Sequence, residues 1–188
     1  MRLEDGPRYF VVQVTGYQSP ESPSRLWRYS WHAVEGKADD GRHAWSFRFP
    51  ALTCSDSPRV GPWLRAVAAW LDDPECSTPA PLSFGEPNLA FRVLPESGQL
   101  RITVSQEFSP LPSPESRALY DIDLELTAGD LRAAADDWDE ESHPFPDVAA
   151  TFGPELKKEL EDELLTEVAR WREERLRREA QQSGTQPT

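Results

Sequence analysis

The sequence predicts an α+β protein in which an antiparallel β-sheet of about six strands carries two helices on one face, in the order βββαβββα, followed by an extra C-terminal amphipathic helix. Three observations support this prediction. Several segments alternate apolar and polar residues with the period of a strand, and others repeat apolar residues with the period of a helix. The connections between successive strands are short, which favours antiparallel neighbours. Placing both helices on one face of the sheet is then the economical arrangement.

The first half of the chain predicts three strands and a helix. Residues 9–15 are β-branched and aromatic, which is typical of a strand. Two further strands are predicted by alternating aromatic residues, with a turn at residues 35–42 between them. Their aromatic positions are Trp27, Tyr29 and Trp31 in one and Trp45, Phe47 and Phe49 in the other. Ser57 and Pro58 then predict the start of a helix, because serine favours the N-cap and proline the first turn.

The second half repeats the pattern. Residues 82–94 predict a strand interrupted at Glu86-Pro87, residues 100–104 predict another, and residues 120–126 alternate most clearly of all. A capping-box pattern from Thr127 to Asp130 predicts the start of a second helix. Pro154 opens the third helix, which has leucines along one stripe. We therefore expect a domain at 1–150, a C-terminal helix at 151–180 and a disordered tail at 181–188.

Composition limits the kinds of partner. The 188 residues carry a formal net charge of −13, which disfavours nucleic acid because binding phosphates requires a basic face. No apolar run is long enough to span a membrane, and the N-terminus lacks the pattern of a signal peptide, so the expected location is the cytoplasm. No nucleotide-binding or metal-binding motif is present, and we expect no cofactor and no metal.

Candidate catalytic residues are few. Cys54 could pair with His32 or His43 as nucleophile and base, although a small buried thiol beside two strand-flanking histidines explains the same residues. Cys54 and Cys76 lack metal-ligand spacing and are expected to be free thiols. The carboxylates of the last strand could act as acid and base, but their alternation predicts a solvated face. The sequence therefore predicts a protein that is not an enzyme.

Charge is distributed unevenly. Residues 121–141 contain nine acidic residues and one arginine, whereas the first 60 residues are close to neutral. Several of these acids fall at the C-terminal end of the second helix, where the helix dipole disfavours negative charge. The region is thus either a docking surface for a basic partner or a solubilising helix end. The candidate partner-binding residues are Asp121, Asp123, Glu125, Asp136, Asp137, Trp138, Asp139, Glu140 and Glu141.

Several segments, taken in order, resemble the WapI-type family of immunity proteins. They are VTGYQSP near the start, LRAVAAWLDD in the first helix, LSFGEPNLAFRVL, DIDLELTAGDLRAAADDW and HPFPDV. The most specific is the stretch from Phe84 to Phe91. The resemblance covers residues 9–147 and leaves the helix after Pro154 outside it. It implies a small cytosolic protein that neutralises a cognate polymorphic toxin. In the type case of the family, that toxin is a tRNase-like domain.

Together, these observations predict an immunity-type protein that covers the basic surface of a nuclease-like toxin with its 121–141 region. The alternative is a non-catalytic adaptor or regulatory protein that assembles through its C-terminal helix. That helix could pack back on the sheet, dimerise or receive a partner. The sequence leaves the oligomeric state open.

Overall fold

The computed structural model describes residues 1–84, 88–112, 115 and 118–183. It confirms an α+β fold of antiparallel strands and several helices, including a long C-terminal one. The strands are β1 (Arg2–Asp5), β2 (Arg8–Tyr17), β3 (Trp31–Asp39), β4 (Ala44–Thr53), β5 (Leu82–Ser83), β6 (Leu89–Leu94), β7 (Gln99–Val104) and β8 (Tyr120–Leu124). The helices are α1 (Arg25–Arg28), α2 (Val60–Asp72), α3 (Ala128–Ser142) and α4 (Pro154–Ser183).

The strands form two sheets, where the sequence predicted one. Both are four-stranded antiparallel sheets, with the orders β1-β2-β3-β4 and β5-β6-β7-β8. The structure has eight strands where the sequence predicted about six. The two additional strands are β1 and β5, which have four and two residues and are too short to show an alternating pattern. The predicted break in the strand at 82–94 falls on residues 85–87, outside the described part of the chain.

One hydrophobic core joins the two sheets. Phe10 of the first sheet stacks on Phe47 and meets Phe91 of the second sheet edge-on, with ring centroids 5.6 and 6.2 Å apart. Phe108, which follows β7, closes the same cluster at 4.4 Å from Phe47. Stacked and edge-on aromatic pairs of this kind stabilise a core beyond the area that they bury. The alternate residues of each strand therefore form an inner face, and the others form an outer face open to solvent.

The central strand of the first sheet passes under an aromatic ring. Gly36 of β3 lies between Val12 and Phe47 in the register of the sheet. A Cβ at this position would overlap the carbonyl oxygen of Val11 and stand 2.6 Å from the ring of Phe47. Only glycine leaves room for the ring there.

Two local predictions in the first half are wrong. Residues Arg25–Arg28 form the short helix α1, not a strand, because the side chain of Ser24 caps the backbone nitrogen of Trp27. The predicted turn at 35–42 begins later: β3 continues to Asp39, and the Asp40 carboxylate accepts from the backbone nitrogens of Arg42 and His43. The alternation of Trp27, Tyr29 and Trp31 is therefore a coincidence of composition across a helix and the strand that follows it.

The helices α2 and α3 pack on each other and bridge the two sheets, where the sequence placed them on one face of a single sheet. Trp63 of α2 contacts Phe91 of the second sheet, with centroids 5.9 Å apart. Helix α3 contacts β1 and β2 of the first sheet. Its start is the predicted capping box, in which Thr127 and Asp130 bond each other's backbone nitrogens. Leu131, Ala134 and Ala135 form its buried face.

Helix α4 contacts the rest of the protein near its start and at α1. Leu160 is buried, and Trp171 contacts Trp27 of α1 with ring centroids 6.3 Å apart. The helix runs to Ser183, three residues into the segment predicted as a tail, and residues 184–188 lie outside the described part.

Candidate functional site

The structure divides the acidic 121–141 region into two separate surfaces. Asp121 and Asp123 lie on the outer face of the second sheet, because they alternate along β8 with the buried Ile122 and Leu124. Five further carboxylates lie in the last two turns of α3. We call this second group the α3 acidic end, and it consists of Asp136, Asp137, Asp139, Glu140 and Glu141.

The carboxylates of β8 are neutralised by arginine. Arg101 of β7 faces Asp123 in the register and donates to both of its carboxylate oxygens at 2.6 Å. A third nitrogen of the same guanidinium lies 3.0 Å from Asp121, which also accepts a hydrogen bond from Thr103. An arginine–carboxylate pair joined by two charge-assisted hydrogen bonds is stronger than a pair of neutral groups. Arg92 of β6 also approaches Asp121 at 4.0 Å, so the two arginines balance the two aspartates. The remaining negative charge on this face is the exposed Glu125, which follows β8.

Two members of the α3 acidic end hold α2 against α3. Arg65, the one basic residue of α2, lies 2.7 Å from Asp136 and 2.7 Å from Asp139. The carboxylate of Asp139 also lies so close to Gly61, in the first turn of α2, that a Cβ there would collide with it. The first turn of a helix carries partial positive charge, which stabilises a carboxylate. Asp136 and Asp139 thus stabilise the pairing of α2 with α3, although the C-terminal end of their own helix disfavours negative charge.

The other three carboxylates of the α3 acidic end differ in whether they are free to contact a partner. Glu141 is half-buried and accepts from the amino group of Met1 at 2.6 Å. Asp137 and Glu140 are exposed, and neither has an ion-pair partner among the residues that the structure describes. They are three residues apart on a helix, so they point to the same side. This pair is the part of the α3 acidic end that offers uncompensated negative charge.

Trp138 lies in the core. Its side chain is 1% exposed, and its indole nitrogen donates to the backbone oxygen of Ser57 at 2.8 Å. A partner could not reach this ring without opening the contact between α3 and the turn before α2. Trp138 is therefore not available at the protein surface as a contact residue.

The sequence did not reveal the roles of Arg65 and Ser57. Arg65 lies 71 residues before Asp136 in the chain, so the pair forms only after α2 and α3 meet. The one signal in the sequence is that Arg65 is the single basic residue of a mostly apolar helix. The sequence predicts Ser57 only as a helix cap, whereas in the structure its hydroxyl lies 2.6 Å from Nδ1 of the buried His32.

The histidine and serine form a buried hydrogen-bond chain. Nε2 of His32 lies 2.9 Å from the backbone oxygen of Phe145, and that oxygen can only accept. The ring proton is therefore on Nε2, and Ser57 donates to Nδ1. Ser57 is 1% exposed, so the chain ties β3 to the turn before α2 and to the segment after α3.

No cysteine–histidine pair is formed in the described part of the chain. His32 uses both ring nitrogens on Ser57 and Phe145, and His43 bonds Tyr120. Cys54 is buried, and that burial raises the pKa of its thiol to about 12. A thiol in this state supplies almost no thiolate at neutral pH. Among the described residues, no group of three or more histidine, cysteine, aspartate or glutamate side chains is placed to hold a metal ion.

A concave groove lies on the outer face of the first sheet. The groove has a volume of about 910 Å³ and is open to solvent. Its charged side chains largely compensate one another, since Arg2 pairs with Glu4 and Arg48 approaches Glu35 at 4.0 Å. The α3 acidic end therefore differs from this groove by having charge of one sign.

Comparison with known proteins bears on what these surfaces do. The family model described as "Immunity protein WapI-like family" matches residues 1–146, which is more than three quarters of the chain. The chain belongs to the WapI-like family of immunity proteins. No curated protein and no solved structure gives a significant match.

The family match includes both acidic surfaces and the buried His32 chain, and it ends one residue after Phe145. Helix α4, which begins at Pro154, lies outside the matched range. Membership of an immunity family implies a toxin as the binding partner. None of the helices in the described part of the chain combines the length and the apolar character needed to cross a membrane.

The buried histidine predicts how the stability of this immunity protein depends on pH. Burial lowers the pKa of His32 from its usual 6.5, because the charged ring is poorly solvated. Below about pH 6.5 the unfolded chain binds a proton that the folded chain takes up only at lower pH, so the free energy of unfolding should fall as the pH falls. Urea unfolding measured from about pH 7.5 down to pH 5 tests this.

Two variants test whether His32 causes this pH dependence of the free energy of unfolding. His43→Gln removes an exposed histidine and should keep the pH dependence, whereas His32→Asn should reduce it even if the variant is less stable throughout. A wild-type free energy of unfolding that stays constant over this range would contradict the prediction.

Proposed function

We propose that this immunity protein neutralises a cognate toxin by binding it and covering a basic surface, with the α3 acidic end as the main contact. The observation that carries the proposal is the exposed, unpaired pair Asp137 and Glu140, set among three further carboxylates on one helix end. The partner that this charge fits is a nuclease-like toxin domain. Such a domain holds phosphates with lysine and arginine, and those side chains are the ones an acidic helix end would engage.

The arrangement favours rapid association. Asp136 and Asp139 are held by Arg65, so they keep the helix end rigid, while Asp137 and Glu140 remain free to meet a partner. Charges fixed on a rigid element steer an oppositely charged partner and raise the rate of encounter, most strongly at low salt. An antidote that must reach a toxin before its substrate does benefits from this.

The outer face of the second sheet has a smaller role in the proposal. Asp121 and Asp123 are already paired with Arg92 and Arg101, and displacing these arginines would leave cations without partners. Glu125 is exposed and could extend the contact from the sheet. The proposal assigns no catalytic step, and it places the protein in the cytoplasm, where a delivered nuclease would find its substrate.

The first experiment concerns protection. The toxin encoded beside this chain is expressed with and without it, and we expect growth to be restored and the two proteins to co-purify. Failure of both would contradict the proposed function as a whole.

The second experiment concerns the surface. We expect Asp137→Lys with Glu140→Lys to slow association with the toxin by about tenfold at low salt and to flatten the salt dependence of the rate. Stopped-flow or surface-binding kinetics measure both effects.

The matched control is Glu21→Lys with Glu96→Lys, which changes the net charge equally at exposed positions outside α3. This control should keep the rate within about a factor of two. Equal rates for wild type and the α3 variant would place the contact elsewhere on the protein.

A further inference from the structure

The exposed apolar side chains of the protein are concentrated on one helix. Of the five large hydrophobic residues that are exposed in the described part of the chain, four lie on α4: Leu165, Val168, Trp171 and Leu176. Leu165 and Leu176 are 67% and 54% exposed. Single exposed apolar residues need no explanation, but several along one helix mark an interaction surface.

The two leucines share a stripe that faces away from the body of the protein. Leu165, Ala169, Arg172 and Leu176 are separated by four, three and four residues, which is the spacing of a helix-pairing seam. At 100° per residue, Leu165 is turned about 140° from the buried Leu160. Trp171, by contrast, is turned toward Trp27 of α1. The stripe is therefore distinct from the contact that α4 makes with its own chain.

The charges along α4 change sign at its middle. From 155 to 167 there are six acidic residues and two lysines, and from 170 to 178 there are five arginines and two glutamates. Two helices of this kind placed side by side in antiparallel orientation bring the acidic half of each against the basic half of the other. A parallel pair would instead oppose acid to acid and base to base.

We propose that two copies of this protein associate through the outward stripe of α4, in antiparallel orientation around a twofold axis near Ala169. An isologous contact uses the same patch on both copies, and this stripe is complementary to itself in both shape and charge. Ala169 leaves room at the centre for two helix backbones to approach, and Leu165 and Leu176 supply apolar contact on either side. The α4 stripe is separate from the α3 acidic end, so the proposal does not depend on the function assigned above.

The size of the patch predicts a reversible dimer. The seam from Leu165 to Leu176 is about 16 Å long. A contact of this length buries less than the 1,200–2,000 Å² that is roughly typical of stable interfaces. We therefore expect the dimer to form with rising concentration and to weaken at high salt.

Sedimentation velocity of the full chain over a wide range of concentrations tests the dimer. We expect the mass of the wild type to rise from that of a monomer to that of a dimer. Leu165→Ser with Leu176→Ser should remain monomeric at concentrations where the wild type is dimeric. Circular dichroism establishes that each variant keeps its helices. A wild type that stays monomeric throughout would overturn the proposal and leave the stripe to a different partner.

Charge exchange tests the orientation. In one variant Glu161→Lys, Asp162→Lys and Glu163→Lys make the first half of α4 basic. In the other, Arg172→Glu and Arg175→Glu make the second half acidic. Each variant alone should remain monomeric, because its two halves now repel in the antiparallel pair. An equimolar mixture should dimerise, because a basic helix then meets an acidic one. If either variant dimerises alone, or if the mixture fails to, the antiparallel pairing is wrong.

Discussion

Replacing Trp138 with alanine is expected to lower the free energy of unfolding by about 4 kcal/mol. Its side chain is among the largest that are fully buried, and its removal leaves a cavity between α3, α2 and the first sheet. The backbone oxygen of Ser57 would lose one of its two donors at the same time, since the backbone nitrogen of Val60 also donates to it, and the lost hydrogen bond adds to the effect. Both effects come from the core and neither requires a partner protein.

Urea unfolding followed by circular dichroism measures the change. Trp171→Ala is the matched control, since it removes the same side chain from a half-exposed position and should lower the free energy by about 1 kcal/mol or less. Toxin binding separates the two possible roles of Trp138. If Trp138→Ala is nearly as stable as wild type and yet binds poorly, the ring contacts the partner, as the sequence suggested.

Gly36→Ala is expected to lower the free energy of unfolding by about 3 kcal/mol. The new methyl group would overlap the carbonyl oxygen of Val11 on the neighbouring strand and press on the ring of Phe47. The carbonyl belongs to the backbone of a paired strand and the ring is packed between Phe10 and Phe108, so neither can move without disturbing the core.

Gly129→Ala makes the same chemical change where there is room. Gly129 lies in the first turn of α3, and an added Cβ would make only ordinary contact with Thr127. This variant should be as stable as wild type or more stable by about 0.5 kcal/mol. Thermal unfolding of the two variants side by side tests the contrast, and equal losses would mean that the space around Gly36 is not the cause.

The parts of the fold that the sequence predicted are those set by local chemistry. The alternation of β8 and the capping box of α3 each depend on residues within a few positions of one another, and both are present in the structure. The error at Trp27 has a local cause as well. Residues Arg25–Arg28 form a helix despite the alternating pattern, because the side chain of Ser24 caps the first turn and stabilises it directly.

The parts that could not be predicted depend on which elements meet. Counting charges along residues 121–141 gave a single acidic region, yet Arg101 and Arg65 reach into it from β7 and α2. The pairing of these arginines with the acids depends on sheet register and on helix packing, and neither can be predicted from residues that are close together in the sequence. The exposed acids without an ion-pair partner among the described residues are therefore Glu125, Asp137 and Glu140, and Trp138 is a core residue.

Two side chains that reach β8 from the facing ends of β1 and β2 have a consequence for the behaviour of the protein at high concentration. Arg8 donates to the backbone oxygen of Asp123 at 2.8 Å, and Asp5 accepts from the backbone nitrogen of Glu125 at 3.1 Å. These backbone groups lie along the outer edge of the second sheet, where a strand from another molecule could otherwise add. With both occupied by side chains from the same chain, strand addition is blocked at this part of the edge, which disfavours growth into fibrils there.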